Sequence, residues 1–189
     1  MTLLPDLLRG VRVAVGGDGS CATAASDGLR ALGATVDELP VATLAEEDAA
    51  AAWACERAPL DGLVYDAGAG FGTGGAEALR GTMELTWRAI RAVATGALIE
   101  SGLPGRIVLV APRPDAGPHA GAGRAALENL ARTLSVEWAR HQITAVVLWP
   151  GSATTDAALA QMTCFLLSPA GGYFSGCRFE LDSVAVAAR

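Results

Sequence analysis

The sequence predicts a doubly wound α/β protein with a parallel sheet of about six strands. Short apolar stretches alternate with longer stretches of helical character along the whole chain. The first apolar stretch runs directly into the glycine-rich turn 16–19 and then into a predicted helix, which is typical of the start of a parallel sheet. Ligands of such folds usually bind at the carboxyl ends of the strands.

The first half of the chain begins with a predicted β-turn-α-β unit. Strands are predicted over residues 11–15, 34–39 and 60–65. Helices are predicted over residues 20–32, 45–57 and 76–100. Gly33 ends the first helix, whereas Gly81 and Gly96 should break or soften the third.

The second half repeats the alternation without a linker or an internal repeat. Strands are predicted over residues 106–110, 143–149 and 177–181, and helices over 124–140 and 156–167. We therefore expect residues 1–189 to form a single domain.

Composition excludes several classes of function. The net charge of −6 argues against a nucleic-acid groove or a polybasic membrane patch. All basic residues are Arg, so no mechanism within this chain can use a lysine. The four cysteines form no C-x-x-C pair and only two His could join them, so no metal site is expected. Apolar residues make up 51% of the chain, which favours a subunit interface.

The start of the chain lacks the basic segment and long apolar stretch of a signal peptide, and no long uncharged apolar run follows. We therefore expect a cytoplasmic protein. The Ala, Gly and Arg bias suggests a bacterial source with a GC-rich genome.

Several short motifs occur in the order and at nearly the spacing found in one enzyme family. They comprise Asp66-Ala67-Gly68 after a strand, the strand 105–110, the helical segments 124–127 and 135–139, Pro150-Gly151 with Thr155, and 165–168 with 174–176. Together they resemble the short-chain dehydrogenases/reductases over nearly the whole chain. The resemblance implies a Rossmann-like sheet of the type found in that family, shortened in this chain.

The resemblance also implies that the cofactor turn is degenerate. Active members hold the pyrophosphate of a nicotinamide dinucleotide on a T-G-x-x-x-G-x-G turn at a helix N-terminus. Here Gly17 falls on a family glycine, but Cys21 and Thr23 replace the other two, and Asp18 adds a negative charge. Asp66 replaces the cofactor-flanking Asn, either to accept a ribose hydrogen bond or to cap a turn. No cofactor is expected on this chain.

The catalytic group implied by the resemblance is also missing. Ala120 stands at the family's Tyr and Arg124 at its Lys, and neither the family's Ser nor its Asn is in its expected place. Without the phenol no acid lies near a hydride acceptor, and Arg is a poor proton relay. His119 is an alternative general base with Asp115, or simply an exposed loop residue.

Two segments of the family are absent. Members have about 250 residues, whereas residues 39–62 leave room for one helix only and the substrate-covering segment after Thr155 is missing. The long helix carries Trp87 and Arg91, and the next helix carries Trp138. With Phe174 near the end of the chain, these residues are candidates for a subunit interface. Core positions for the tryptophans and a solvated helix face for Arg91 are the alternatives.

The leading hypothesis is a catalytically degenerate subunit that supports an active, full-length relative in a hetero-oligomer. That partner would hold NAD(P) and act on hydroxyacyl or ketoacyl thioesters or on a similar alcohol or ketone. A homodimer is the other possible assembly. Two alternative functions stay open: an active oxidoreductase with rearranged catalytic residues, and a self-associating module that binds a small metabolite.

Overall fold

Short, largely apolar strands form a parallel sheet. The computed structural model describes residues 3–17, 19–71 and 74–181. Within them the strand order is β2-β1-β3-β4-β5-β6, and all neighbouring strands are parallel. The strands are β1 Arg12–Gly17, β2 Thr35–Leu39, β3 Gly62–Asp66, β4 Gly105–Val110, β5 Ile143–Pro150 and β6 Arg178–Leu181. The predicted doubly wound α/β fold is confirmed.

Helices cover both faces of this sheet. They are α1 Ser20–Ala31, α2 Glu47–Arg57, α3 Gly75–Val93, α4 Ile99–Ser101, α5 Ala120–Glu137 and α6 Asp156–Leu167. Side chains of β4 alternate between two apolar cores: Ile107 and Leu109 pack with α2, α3 and α5, whereas Val108 and Val110 pack with α1 and α6. Within the part of the chain that the structure describes, no helix is both long and apolar enough to cross a membrane.

The chain changes direction across the sheet between β1 and β3. After β1 it builds β2 on one side and then returns to place β3 on the other side. The last paired residues of β1 and β3 are Gly17 and Asp66. Since ligands of doubly wound sheets bind where the strand order reverses, this pair marks the expected crevice.

Strand β2 forms one edge of the sheet. The common dinucleotide-binding order 3-2-1-4-5-6 places another strand beyond it, but here β2 is followed only by the short 3-10 helix Val41–Ala45 and α2 before β3 begins. This agrees with the expectation that one helix and the outer strand are missing. At the other end of the sheet, only residues 151–155 separate β5 from α6.

Helix α5 starts earlier than predicted. Residues 120–123 were expected to belong to a Pro- and Gly-rich loop, but α5 begins at Ala120. A Cβ added to Gly123 would lie 2.9 Å from the ring of Phe71, so this turn of α5 packs directly on that ring. Tertiary contact therefore offsets the low helix propensity of glycine.

The long helix is interrupted once, at the second of the two glycines singled out in the sequence. Residues Ala94–Leu98 form a π turn between α3 and α4, whereas Gly81 lies within regular helix. A Cβ on Gly96 would lie 3.1 Å from Ala54 Cβ on α2. The glycine thus permits a close approach of two helices at the π turn.

Candidate functional site

A cleft lies at the carboxyl ends of β1, β3 and β4. Its lining includes Gly19, Cys21, Asp66, Arg113 and Asp156. Its volume is about 190 Å³, below the roughly 300–1,000 Å³ typical of small-molecule sites. The fold therefore supplies the expected crevice, but side chains fill much of it.

Asp66 fills the anion-binding position at the start of α1. Its side chain is buried, with 3% of the residue exposed. One carboxylate oxygen accepts a hydrogen bond from the backbone N–H of Ala22 at 3.2 Å, and the other accepts one from Gly68 at 2.9 Å. A helix N-terminus favours a negative charge because its first N–H groups lack partners within the helix. The protein's own carboxylate occupies this position.

The turn interpretation of Asp66 accounts for its hydrogen bond with Gly68 but not for its hydrogen bond with Ala22. The bond to Gly68 closes a local turn after β3. The bond to Ala22 joins β3 to α1 across the crevice. A local turn such as the one between Asp66 and Gly68 gives no indication of this second bond. The sequence signal that could have revealed it is the placement of an acidic residue at the end of the strand beside the glycine turn.

The degenerate glycine positions lie around this carboxylate. Gly17 has φ +101°, and a Cβ there would overlap the backbone of Asp66. Cys21 is buried, whereas Thr23 is exposed on α1. Burial, with the nearby charges of Asp66 and Asp156, raises the pKa of the Cys21 thiol from 9.0 to about 12. Cys21 is therefore a neutral thiol at physiological pH. Asp18 lies outside the described residues.

Arg124 forms a structural connection between two strand ends. Its guanidinium donates hydrogen bonds to the carbonyls of Pro112 at 3.0 Å and Pro150 at 2.7 Å. It also lies 4.6 Å from the ring centre of Trp149. Ala120, one turn earlier, is buried and offers no acid or base. Arg124 therefore has a structural role, and Ala120 is part of the buried core.

His119 immediately precedes α5 and is half-buried, so the expectation of an exposed loop residue needs correction. Its side chain makes no hydrogen bond to the start of the helix. Helix α5 ends at Glu137, so His141, the other histidine of the chain, lies beyond the helix. His141 lies in the following 3-10 turn, where its Nε2 accepts a hydrogen bond from Arg140 Nε at 3.0 Å.

Arg113 is a cleft residue whose role the sequence did not reveal. Its guanidinium donates to the carbonyls of Gly151 and Thr154, and it pairs with Asp156 at 2.9 Å. These contacts fix the short β5–α6 connection over the cleft. The available sequence signal was a basic residue just after β4 and an acidic residue shortly after β5, at the start of α6. The carboxyl ends of β4 and β5 face the same crevice.

A second depression lies beside the cleft at the end of β2. Gly17, Thr23, Arg30 and Glu38 contribute to its lining. Glu38 follows the glycine turn by about 20 residues, the spacing at which dinucleotide-binding folds place a ribose-binding carboxylate. The sequence interpretation missed this residue. Here its carboxylate pairs with Arg30 at 2.8 Å.

The proposed interface residues differ in exposure. Trp87 on α3 is 40% exposed, and Arg91 on the same helix pairs with Glu47 on α2. Trp138 at the end of α5 is half-buried against the core. Phe174 is also half-buried, with its ring centre 6.1 Å from that of Phe165 and 5.3 Å from that of Phe179.

Arg88 lies one turn before Arg91 on α3. It donates to the backbone carbonyls of Leu44 and Ala45 and so anchors the 3-10 helix to α3. Across residues 3–17, 19–71 and 74–181, no group of three or more His, Cys, Asp or Glu side chains could hold a metal ion.

The fold and this crevice define a doubly wound α/β protein in which the carboxylate of Asp66 binds the first turn of α1. Solved structures identify the fold more closely as that of the short-chain dehydrogenases/reductases. A citronellol catabolism dehydrogenase (AtuB) from Pseudomonas aeruginosa PAO1 has 22% identity and a TM-score of 0.76, over 97% of this chain and 98% of that chain. The sequence matches no protein-family model and no curated protein.

Two further structures have similar agreement. The RhlG/NADP active-site complex of Pseudomonas aeruginosa has 19% identity and a TM-score of 0.78, over 95% of this chain and 98% of that chain. A short-chain type dehydrogenase/reductase from Mycobacterium marinum has 16% identity and a TM-score of 0.79, over 96% and 97% of the two chains. These comparisons establish the fold.

Proposed function

We propose that this chain is a non-catalytic subunit with the short-chain dehydrogenase/reductase fold, which assembles with an active, full-length relative and supports its structure or substrate site. That relative would hold NAD(P) and act on a hydroxyacyl or ketoacyl thioester or a similar alcohol or ketone. The observation that carries the proposal is the Asp66 carboxylate bound to the first turn of α1.

The electrostatics of Asp66 oppose a dinucleotide. A pyrophosphate placed at the start of α1 would need the N–H groups near this carboxylate and would bring negative charge beside it. Two unit charges 4 Å apart repel by about 4 kcal/mol at an effective dielectric constant of 20. Moving Asp66 away would also cost the hydrogen bonds that its carboxylate accepts from the N–H groups of Ala22 and Gly68. Both effects lower affinity for NAD(P).

The chemistry of the cleft supports the same proposal. Hydride transfer to a carbonyl requires a proton donor near the developing alkoxide. Ala120 supplies none, and Arg124 is held by the carbonyls of Pro112 and Pro150. Arg113, which follows β4, makes two hydrogen bonds to the β5–α6 connection and one to Asp156 at the start of α6. These side chains stabilise the walls of the cleft.

The case for a partner rests on exposed apolar side chains on two helices. Trp87 on α3 is 40% exposed and Val136 on α5 is 74% exposed. Both helices cover the same face of the sheet. Large aromatic side chains in such positions are frequent anchors of protein interfaces.

Co-expression tests the assembly. The chain would be produced with each full-length short-chain dehydrogenase/reductase of its own genome, and the products sized by light scattering after gel filtration. We expect a mixed oligomer with one of them, weakened by Trp87→Ala and unaffected by Leu103→Ala, which also removes an exposed apolar side chain. A chain that stays monomeric with every candidate would refute the assembly.

A fluorescence titration tests the loss of cofactor binding separately. Addition of the purified chain should leave the fluorescence emission of NADH and NADPH unchanged up to millimolar concentrations of binding sites. Tight binding of either nucleotide would support the alternative of an active oxidoreductase with rearranged residues.

One observation favours a second candidate, a self-associating module that binds a small metabolite. The depression beside Glu38 lies outside the region that Asp66 occupies. The Glu38 carboxylate could accept hydrogen bonds from ribose hydroxyls. The ion pair with Arg30 is largely exposed, so it would yield to a ligand at small cost. Adenosine binding that Glu38→Gln abolishes, without binding of intact NADH, would select this candidate.

A further inference from the structure

Arg106, the second residue of β4, has no hydrogen-bonding or ion-pairing partner among the described residues. Its Nε is buried and unpaired. Most other arginines pair with carboxylates or donate to backbone carbonyls, namely Arg9, Arg12, Arg30, Arg57, Arg88, Arg91, Arg113, Arg124, Arg132 and Arg178. Arg80 is also unpaired, but it is exposed to water. Among the arginines within residues 3–17, 19–71 and 74–181, only Arg106 combines partial burial with an unused guanidinium.

This guanidinium lies at a cavity at the opposite end of the strands from the cleft. The cavity is formed at the amino ends of β4 and β5 and has a volume of about 370 Å³, within the range of small-molecule sites. Its lining contains three hydroxyl residues, Ser135, Thr144 and Ser175, and no Asp or Glu. In a chain with a net charge of −6, a cavity with an arginine and no carboxylate favours an anion.

The register of the sheet places two of these groups side by side. Arg106 and Thr144 are paired residues of the parallel strands β4 and β5, so their side chains leave the sheet on the same face. The Ser175 hydroxyl accepts a weak hydrogen bond from the Ala145 N–H at 3.4 Å, which leaves its own hydrogen for another acceptor. One cation and two hydroxyl donors thus border the same space.

The carboxylate of Asp61 interacts with Arg106 through its charge but forms no ion pair with it. Asp61 raises the pKa of Arg106 through its charge, but burial lowers that pKa by more. One oxygen of Asp61 instead accepts a hydrogen bond from the Arg12 backbone N–H at 2.7 Å. The buried Nε–H of Arg106 lacks an acceptor, which is unfavourable, and a bound oxyanion would supply one.

We infer that this cavity binds the carboxylate or phosphate group of a small molecule, with Arg106 as its cation and Thr144 and Ser175 as hydroxyl donors. Gly172 keeps the approach to the guanidinium open: a Cβ at this position would lie 3.3 Å from Nη2 of Arg106. The site lies at the amino ends of the strands, whereas Asp66 and Arg113 lie at the carboxyl ends. The inference therefore does not depend on the proposed loss of catalysis.

Calorimetric titration of the full chain tests the site, with inorganic phosphate and acetate as probes at constant ionic strength. We expect saturable binding of at least one probe and a loss of at least about tenfold in affinity for Arg106→Met, because a charge-assisted bond is lost. Arg80→Met removes the same charge from an exposed position and should leave the affinity within about twofold of the original. The stronger probe identifies the head group.

A second variant keeps the test decisive if Arg106→Met does not fold. Gly172→Val brings a branched side chain against the guanidinium while leaving Arg106 in place. It should weaken binding of the same probe by at least about tenfold, while circular dichroism and gel filtration stay unchanged. Absence of binding of both probes to the original chain, or equal affinity in the original chain and both cavity variants, would overturn the inference.

Discussion

The carboxylate of Asp66 lies where a side chain of Gly19 would have to be: a methyl group at position 19 would overlap Asp66 Oδ2. Gly19 directly precedes α1, and its lack of a side chain gives the carboxylate from β3 access to the first turn of the helix. Gly19 thus lets an internal anion reach the helix N-terminus, the position where dinucleotide folds bind a phosphate.

Gly19→Ala should therefore destabilise the protein by about 1–3 kcal/mol, because the added methyl displaces Asp66 from its hydrogen bonds. Urea unfolding followed by circular dichroism measures the change. Gly81→Ala is the matched control, since a Cβ there meets nothing within 4 Å and alanine is favoured inside a helix by up to about 1 kcal/mol. Equal stability of Gly19→Ala and the original chain would contradict the assigned position of the carboxylate.

Arg124→Ala should cost about 2–4 kcal/mol of unfolding free energy, because two carbonyls lose a charged donor and Trp149 loses a stacked guanidinium. The same urea experiment applies. Arg80→Ala provides the control, as it removes an exposed arginine of α3. A catalytic residue without a structural role would leave stability unchanged, and that result would refute the interpretation of Arg124.

Arg113→Ala should loosen the connection between β5 and α6. Three hydrogen bonds that fix residues 151–156 are lost, whereas the strands themselves keep their pairing. Hydrogen exchange measured by mass spectrometry should become faster in peptides covering 151–158 and stay unchanged in peptides covering 105–110. Uniform acceleration in both regions would indicate global destabilisation instead of local release.

The cysteines should differ in reactivity. Cys55 is exposed, whereas Cys21 is buried and the pKa of its thiol is raised from 9.0 to about 12. Iodoacetamide at pH 8 should therefore modify Cys55 in the folded chain and Cys21 only after unfolding. Peptide mass mapping distinguishes the two sites. Rapid labelling of Cys21 under native conditions would show that the cleft is open to solvent.

The same shift predicts a pH dependence of stability. Between pH 9 and pH 12 the unfolded thiol loses its proton while the folded Cys21 keeps it, so the folded state binds more protons. The contribution of this group to the free energy of unfolding consequently falls as pH rises through that window, and below pH 9 it is constant. Cys21→Ser should show a smaller decrease over the same range.

The sequence was sufficient to predict the succession of strands and helices along the chain, because the periodicity of apolar residues indicates which side chains are buried. Helix α6 was predicted with both of its bounds, helped by Thr155, whose side chain accepts a hydrogen bond from the Ala158 N–H at 3.2 Å. The start of α5 was placed too late, since the contact between Gly123 and Phe71 is a tertiary contact that local propensity does not contain.

The candidate site was less accessible to sequence reasoning for the same physical reason. The resemblance alone predicts that Ala120 and Arg124 stand at the family's Tyr and Lys positions, and that assignment stays a prediction. The hydrogen bonds of Asp66 to Ala22 and of Arg113 to the β5–α6 connection join segments that are far apart in the chain. Their partners are mostly backbone groups, which leave no mark on residue identity.

The missing strand beside β2 has a consequence for solubility. An open sheet edge offers unpaired backbone groups to other chains and promotes aggregation. In β2 the charged residues Asp37 and Glu38 lie on successive positions, and Arg12 and Arg30 from neighbouring elements pair with them. Pairing of two such edge strands would bring these fixed charges together and remove them from water. The ion pairs thereby protect the shortened protein from growing its sheet with further copies of itself.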